Sequence, residues 1–440
     1  MKIKTVSTQL IRPSSPTPPQ LRHFNLSFID QRIPPSYIPL LLYYNLSSTH
    51  EDNRYNLKQP EMSRRLKRSM SDALVQFYPL AGRILDGLPL VDCSDEGILY
   101  IEATADGKIS DIVRSPDSGT LDNLIPFKSN GSISNAEELL AVQATLFNCG
   151  GISVGICISH SIADGATLSS FINCWAAIAR RDQPNVDVSP LFNSATLFPP
   201  RNTPDFRPNF KNLAIQAPPV NLLMERLLFP ASAIDELKQK AAENSSIIKP
   251  TRVEVVTAFL WSRCLVAKGL DASHKSVAFH PVNLRGRVPA LTERSFGNVF
   301  QMTHAENAGE TNWTRLVEKL RAAFGKIDNE YVKMLSGEKG CEIAKENFQG
   351  ISKFLATGNV AVLLFSSYCR FPIYEVDFGW GKPVWVSSAS FSIKDMIMLF
   401  DSVVSPGGIE VWIVMVDHEM ERLRRDSEIQ RFTSFFGLSR

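Results

Sequence analysis

The sequence predicts a mixed α/β fold divided into two domains. Three observations lead there: the length of 440 residues, the interleaving of helix-period and strand-period segments in both halves, and a proline-rich stretch without periodicity between them. A chain of this length exceeds one ordinary core, and two domains of roughly 200 residues each are the natural expectation.

The elements follow in order. From Met62 the apolar residues Met62, Leu66, Met70, Leu74 and Phe77 recur every three or four positions, which marks one face of a helix ending near Tyr78-Pro79. Leu99 to Ala103 alternates as a strand does. Val142, Ala144 and Leu146 alternate with Gln143, Thr145 and Phe147, Cys149-Gly150-Gly151 offers a turn, and Ile152 to Ile158 is a second apolar run, so the pair reads as a hairpin. Leu168, Phe171, Ile172, Trp175 and Ile178 share a helical face, so a helix starts right after Asp164-Gly165. His160 therefore occupies a strand-to-helix corner.

Eight of the 27 prolines fall between Gln183 and Val220, at 184, 190, 199, 200, 204, 208, 218 and 219. That stretch reads as the interdomain crossover, giving a first domain over 1–182, a linker over 183–220 and a second domain over 221–440. The second half opens with a strand-like Met224 to Phe229 and a helix capped by Ser232 with Asp235 at the N3 position. Thr251 and Glu254 form a clearer capping box, from which a helix runs through Trp261. A helix around Leu316, Leu320 and Phe324 and strands at Val360 to Phe365 and Ile409 to Val416 complete the set.

Composition narrows the function. Hydrophobic residues at 44% and charged residues at 21% belong to a globular protein and exclude disorder and coiled coils. A formal charge of +2 supplies no broad field for nucleic acid or an anionic membrane, so any anion must be bound locally. The seven cysteines are scattered, odd in number and without a CxxC pair, which points to reduced thiols in the cytoplasm and to no metal site. The N-terminal segment has no apolar core, and no run of about 18 apolar residues suggests a membrane span.

Of the seven histidines, His160 alone has an aspartate four residues on, in His160-Ser161-Ile162-Ala163-Asp164-Gly165. The spacing is weak evidence by itself. A histidine held rigidly at the end of a strand, where a glycine opens the way to a helix, is what gives it weight. The blander alternative is a core histidine satisfied by backbone. Gly151-Ile152-Ser153-Val154-Gly155 matches the GxSxG of serine hydrolases, but a nucleophile elbow needs a turn and then a helix after the serine, and Ser153 starts a strand.

His160 to Gly165 together with Asp377-Phe378-Gly379-Trp380-Gly381 resemble the HxxxDG and DFGWG motifs of the plant BAHD acyl-CoA-dependent acyltransferases, in the right order and at the expected separation. Tyr78 to Arg83, Val282-Asn283-Leu284-Arg285 and Ser295-Phe296-Gly297-Asn298 are similar to that family too, so the resemblance covers nearly the whole chain. Pro13 to Pro18, Val91-Asp92-Cys93, Cys149-Gly150-Gly151 and Trp380 to Pro383 look most like its alkaloid O-acetyltransferase group.

The resemblance implies two chloramphenicol-acetyltransferase-like α/β domains with an active-site channel between them. It implies a cytoplasmic monomer that transfers an acyl group from acyl-CoA, acetyl-CoA first, to the alcohol of a plant specialised metabolite such as an alkaloid. A terpenoid or phenolic acceptor, or a catalytically silent binding protein on the same fold, are the alternatives. His160 is the expected general base, because a neutral imidazole within reach can take the proton of an attacking hydroxyl at neutral pH. Asp164 and Asp377 join it as candidate catalytic residues, although the resemblance pairs Asp164 with Arg285 and gives Asp377 the task of holding its loop. Gly165 and Gly379 are expected as structural support. Thr251 and Arg252, at the start of a capped helix with free N–H groups and a positive dipole end, are the expected acyl-CoA phosphate contacts.

Overall fold

The computed structural model describes residues 1–45, 59–127, 138–180, 189–201, 221–271, 273–310, 312–347, 360–391 and 393–436. Most of the expected crossover, 183–188 and 202–220, lies outside them. Within it, Leu191 bridges to Ser295 and Ser194–Leu197 forms one short helix.

Two large sheets organise the described residues, beside a small one of His23–Asn25, Leu90–Asp92 and Arg83–Ile84. The six-stranded sheet runs in the order Ile3–Ile11, Ile98–Ala105, Leu140–Phe147, Ile152–Ser159, Tyr37–Tyr44, Trp385–Ser387. The seven-stranded sheet runs Phe300–Ala308, Lys275–Asn283, Val360–Ser367, Met396–Asp401, Ile409–Val416, Leu222–Phe229, Ser434–Phe436. The α/β class and the expected hairpin are both present, with Leu146 opposite Ile152 next to the glycine turn. Both faces of its strands are buried, so Gln143 and Thr145 do not look out to water. Gln143 instead donates to the Asn123 carbonyl at 2.8 Å.

The boundary expected between the halves is crossed by a strand. Trp385–Ser387 pairs antiparallel with Tyr37–Tyr44 and closes the edge of the first sheet. Met224, Met398, Phe400, Trp412 and Val414 of the second sheet are buried in the same cluster as the first core. A buried ion pair, Arg226 Nε to Glu410 at 2.8 Å, lies under the Trp385 ring, whose indole N–H also donates to Glu410.

Helix Gln59–Gln76 buries Met62, Leu66, Met70 and Leu74, as its period requires. Thr251 caps Arg252–Ala267 through the expected reciprocal bonds with Glu254. The Ser232 cap is corrected. The helix begins at Ala231 with Pro230 at the cap position, and the Ala231 N–H donates to Ser405 Oγ at 3.1 Å. A residue distant in sequence satisfies the orphan donor that a local side chain was expected to take. Among the described residues no helix is long and apolar enough to cross a membrane.

Candidate active site

Strand Ile152–Ser159 ends at a tight turn and helix Gly165–Arg180 begins six residues later, with His160 between them. Asp164 caps that helix: its Oδ1 accepts from the Thr167 N–H at 2.8 Å. The His160 N–H donates to the Ser36 carbonyl at 2.7 Å and its carbonyl accepts from Asn298 Nδ2 at 2.7 Å. The ring Nδ1 lies 3.0 Å from the Ala163 carbonyl. A carbonyl can only accept, so Nδ1 carries the hydrogen and Nε2 carries the lone pair. Burial lowers the His160 pKa below its ordinary 6.5, against the opposing charge of Asp164, and keeps the half-buried imidazole neutral at pH 7.

Asp164 serves the scaffold. Arg285 Nη1 donates to its Oδ2 at 2.7 Å and Nη2 to its Oδ1 at 3.1 Å, while the Val299 N–H donates to Oδ2 at 2.9 Å. Burial alone would raise this carboxyl, but Arg285 and the N–H donors outweigh it and hold it below the usual carboxylate range. Arg285, with its side chain fully buried, spends its other donors on Ser295 O, Gly297 O, Thr167 Oγ1 and Asn283 Oδ1. Gly165 lies so near Tyr368 and Phe371 that a Cβ there would stand 3.1 Å from each ring.

Asp377, the other candidate catalytic aspartate, is placed elsewhere. Its Oδ1 accepts from the N–H groups of Gly379, Trp380 and Gly381 at 2.7, 3.1 and 2.9 Å, and Arg180 donates to its carbonyl. Arg180 ends the helix that Gly165 begins, so the Asp377 loop and the His160 corner sit about 22 Å apart along its axis at 1.5 Å per residue. Gly379 adopts φ +97°, a conformation that strains any residue with a Cβ, and the Arg65 guanidinium lies beside it.

Arg252, the expected acyl-CoA contact, has partners within the fold. Its guanidinium donates to Asp401 at 2.9 Å and to the Gly407 carbonyl at 2.9 Å, and Thr251 is occupied with Glu254. The other oxygen of Asp401 accepts from the Arg370 N–H at 2.7 Å, leaving the Arg370 side chain exposed. Ser153 is fully buried within its strand, where no substrate carbonyl reaches it.

Opposite His160 stands an apolar wall. The Phe300 ring lies 6.0 Å from the imidazole. Register pairs Asn283 with Phe300, Pro281 with Met302 and Phe279 with Leu364, so these residues share one face of the second sheet. Phe300, Met302, Pro281 and Leu364 on that face are half-buried. Thr303, on the opposite face, bonds the Ala323 carbonyl of the helix behind.

The Transferase family model matches residues 1–430. The chain is a BAHD acyltransferase. The stemmadenine O-acetyltransferase of Catharanthus roseus is 34% identical over 97% of both chains, and the limonoid 1-O-acetyltransferase of Citrus sinensis is 35% identical over 99% of both. Among solved structures, vinorine synthase superposes with a TM-score of 0.80 at 28% identity, covering 98% of this chain and 99% of its own. BAHD enzymes use acyl-CoA as the acyl donor, so this acyltransferase takes acyl-CoA and a small-molecule acceptor.

The sequence by itself assigns no role to Asp30 or to Asn298, although Asn298 ends the Ser295-Phe296-Gly297-Asn298 motif. Leu26-Ser27-Phe28-Ile29-Asp30 carries an S-x-x-D spacing that signals a capped turn and could have drawn attention.

Proposed function

We propose that this BAHD acyltransferase moves an acetyl group from acetyl-CoA to a hydroxyl on a bulky, largely apolar alkaloid or terpenoid skeleton, with His160 as general base. The observation that supports it is the His160 ring: Nδ1 tied to the Ala163 carbonyl, Nε2 bearing the lone pair, and Phe300 opposite. The acceptor oxygen attacks the thioester carbonyl as its proton passes to Nε2. The tetrahedral oxyanion then collapses, expelling CoA thiolate, which takes the proton back from His160. The thioester is already activated, and so no enzyme nucleophile takes part.

The apolar wall favours a hydrocarbon skeleton, and the acetyltransferase names of relatives favour acetyl among acyl groups. Exposed Arg370, rather than the internally bonded Arg252, is the cation we assign to a CoA phosphate. A cytoplasmic monomer completes the proposal, supported by seven free cysteines, and a single species in size-exclusion chromatography checks the latter part. The experiment is a screen of acyl-CoA donors against alkaloid and terpenoid alcohols with product mass as readout. Acetylated product from one of these classes is expected; transfer of only long or aromatic acyl groups, or only to polar phenolics, overturns the assignment.

A further inference from the structure

Asp30 is a buried carboxylate that the reaction does not touch. It is 2% exposed, and its four hydrogen-bond donors are all uncharged. Oδ2 accepts from the N–H and hydroxyl of Ser27 at 2.9 and 2.6 Å, in a capped turn that Ser27 Oγ completes by accepting from the Asp30 N–H. Oδ1 accepts from the N–H of Asn298 at 2.7 Å and from its Nδ2 at 2.9 Å. The second hydrogen of that same Nδ2 goes to the His160 carbonyl at 2.7 Å.

Both partners of the Asn298 amide, a carboxylate and a carbonyl, can only accept, so the amide has one usable orientation. Its own Oδ1 is buried without a hydrogen-bond partner among the described residues, which is the cost of that orientation. The His160 peptide is thereby held from both sides, at its N–H by Ser36 and at its carbonyl by Asn298. Only the second tie comes from the other half of the chain. Asn298 also lies two residues before Phe300, so the segment that holds the histidine is the one that sets the wall facing it.

We propose that Asp30 and Asn298 act as one positioning unit for His160: the Asp30 carboxylate fixes the Asn298 amide, and the amide sets the imidazole against the Phe300 face. This rests on His160 being the base. Burial does not favour the ionised form of this carboxyl. Burial pushes the Asp30 carboxyl up to about 6, so the folded state binds the proton more tightly than the unfolded chain. Stability contributed by this group is then lost as pH rises towards 6, and at neutral pH the ionised carboxylate subtracts from folding.

The test is steady-state kinetics and melting temperature for Asp30→Asn, Asn298→Ala and the double variant, with His160→Ala in parallel. Each single change is expected to lower kcat roughly 10- to 100-fold, the cost of a misplaced catalytic group, with KM for both substrates little changed. The double variant is expected to fall no further than the weaker single, because the two residues serve one contact. Full kcat in a folded single variant, or losses that multiply in the double, overturns the proposal. Should Asp30→Asn fail to fold, Asn298→Ala decides, since its backbone N–H still holds Asp30. If His160→Ala remains active, the base assignment fails and takes this unit with it; if His160→Ala is dead while Asp30→Asn and Asn298→Ala turn over normally, only the positioning unit fails.

Discussion

The two conspicuous motifs of this chain sit at opposite ends of one helix and differ in what they leave unbonded. At the Gly165 end, His160 keeps a lone pair on Nε2 while its peptide and Nδ1 are fully engaged. At the Arg180 end, Asp377 Oδ1 serves three backbone N–H groups of its own loop. An equally recognisable motif can therefore be reactive or architectural, and the hydrogen-bond inventory separates the two.

Breaking the reactive end has the largest expected effect. His160→Ala is expected to lower kcat about 10² to 10⁴-fold while the protein stays folded, because the hydroxyl proton loses the acceptor assigned to it. Retention of a tenth of wild-type turnover would end the contrast. Asp164→Ala comes next, on stability: removing one partner of a buried ion pair typically costs about 3–5 kcal/mol. A melting temperature equal to wild type with lost activity would move Asp164 to the chemistry.

The architectural end sharpens the comparison. Asp377→Ala strips the acceptor from a half-buried loop and is expected to cost about 1–3 kcal/mol in denaturant unfolding, with kcat of the folded protein retained. A selective loss of kcat there would make both ends catalytic. Arg252→Ala is expected to do least, about 0–1 kcal/mol and an unchanged KM for acyl-CoA, since its ion pair with Asp401 is partly exposed. Arg370→Ala should raise that KM; the reverse pattern in the two variants would return the phosphate contact to Arg252.

Local signals carried far into this structure. Apolar period located helix Gln59–Gln76, and the hairpin and helix around His160 were visible in 142–180. What the sequence hid was long-range. Ser405 caps the helix at Ala231 from 174 residues away, and Asp30 meets Asn298 across 268. Strand Trp385–Ser387 is too short to show a period and crosses to the first sheet. The helix start at Arg252 is a good anion site in isolation, and local sequence does not show that Asp401 and the Gly407 carbonyl bond its guanidinium.

The pH dependence of kcat/KM, measured for wild type and for the residual activity of His160→Ala, tests the base most directly. Burial lowers the His160 pKa, so the imidazole stays neutral down to a pH beneath its ordinary 6.5 and protonates only below that. Wild-type kcat/KM is expected to fall on the acid side with a midpoint below 6.5, and the residual activity of His160→Ala is expected to lack that limb. The same acid limb in both proteins would contradict the assignment of His160 as the group that takes the proton.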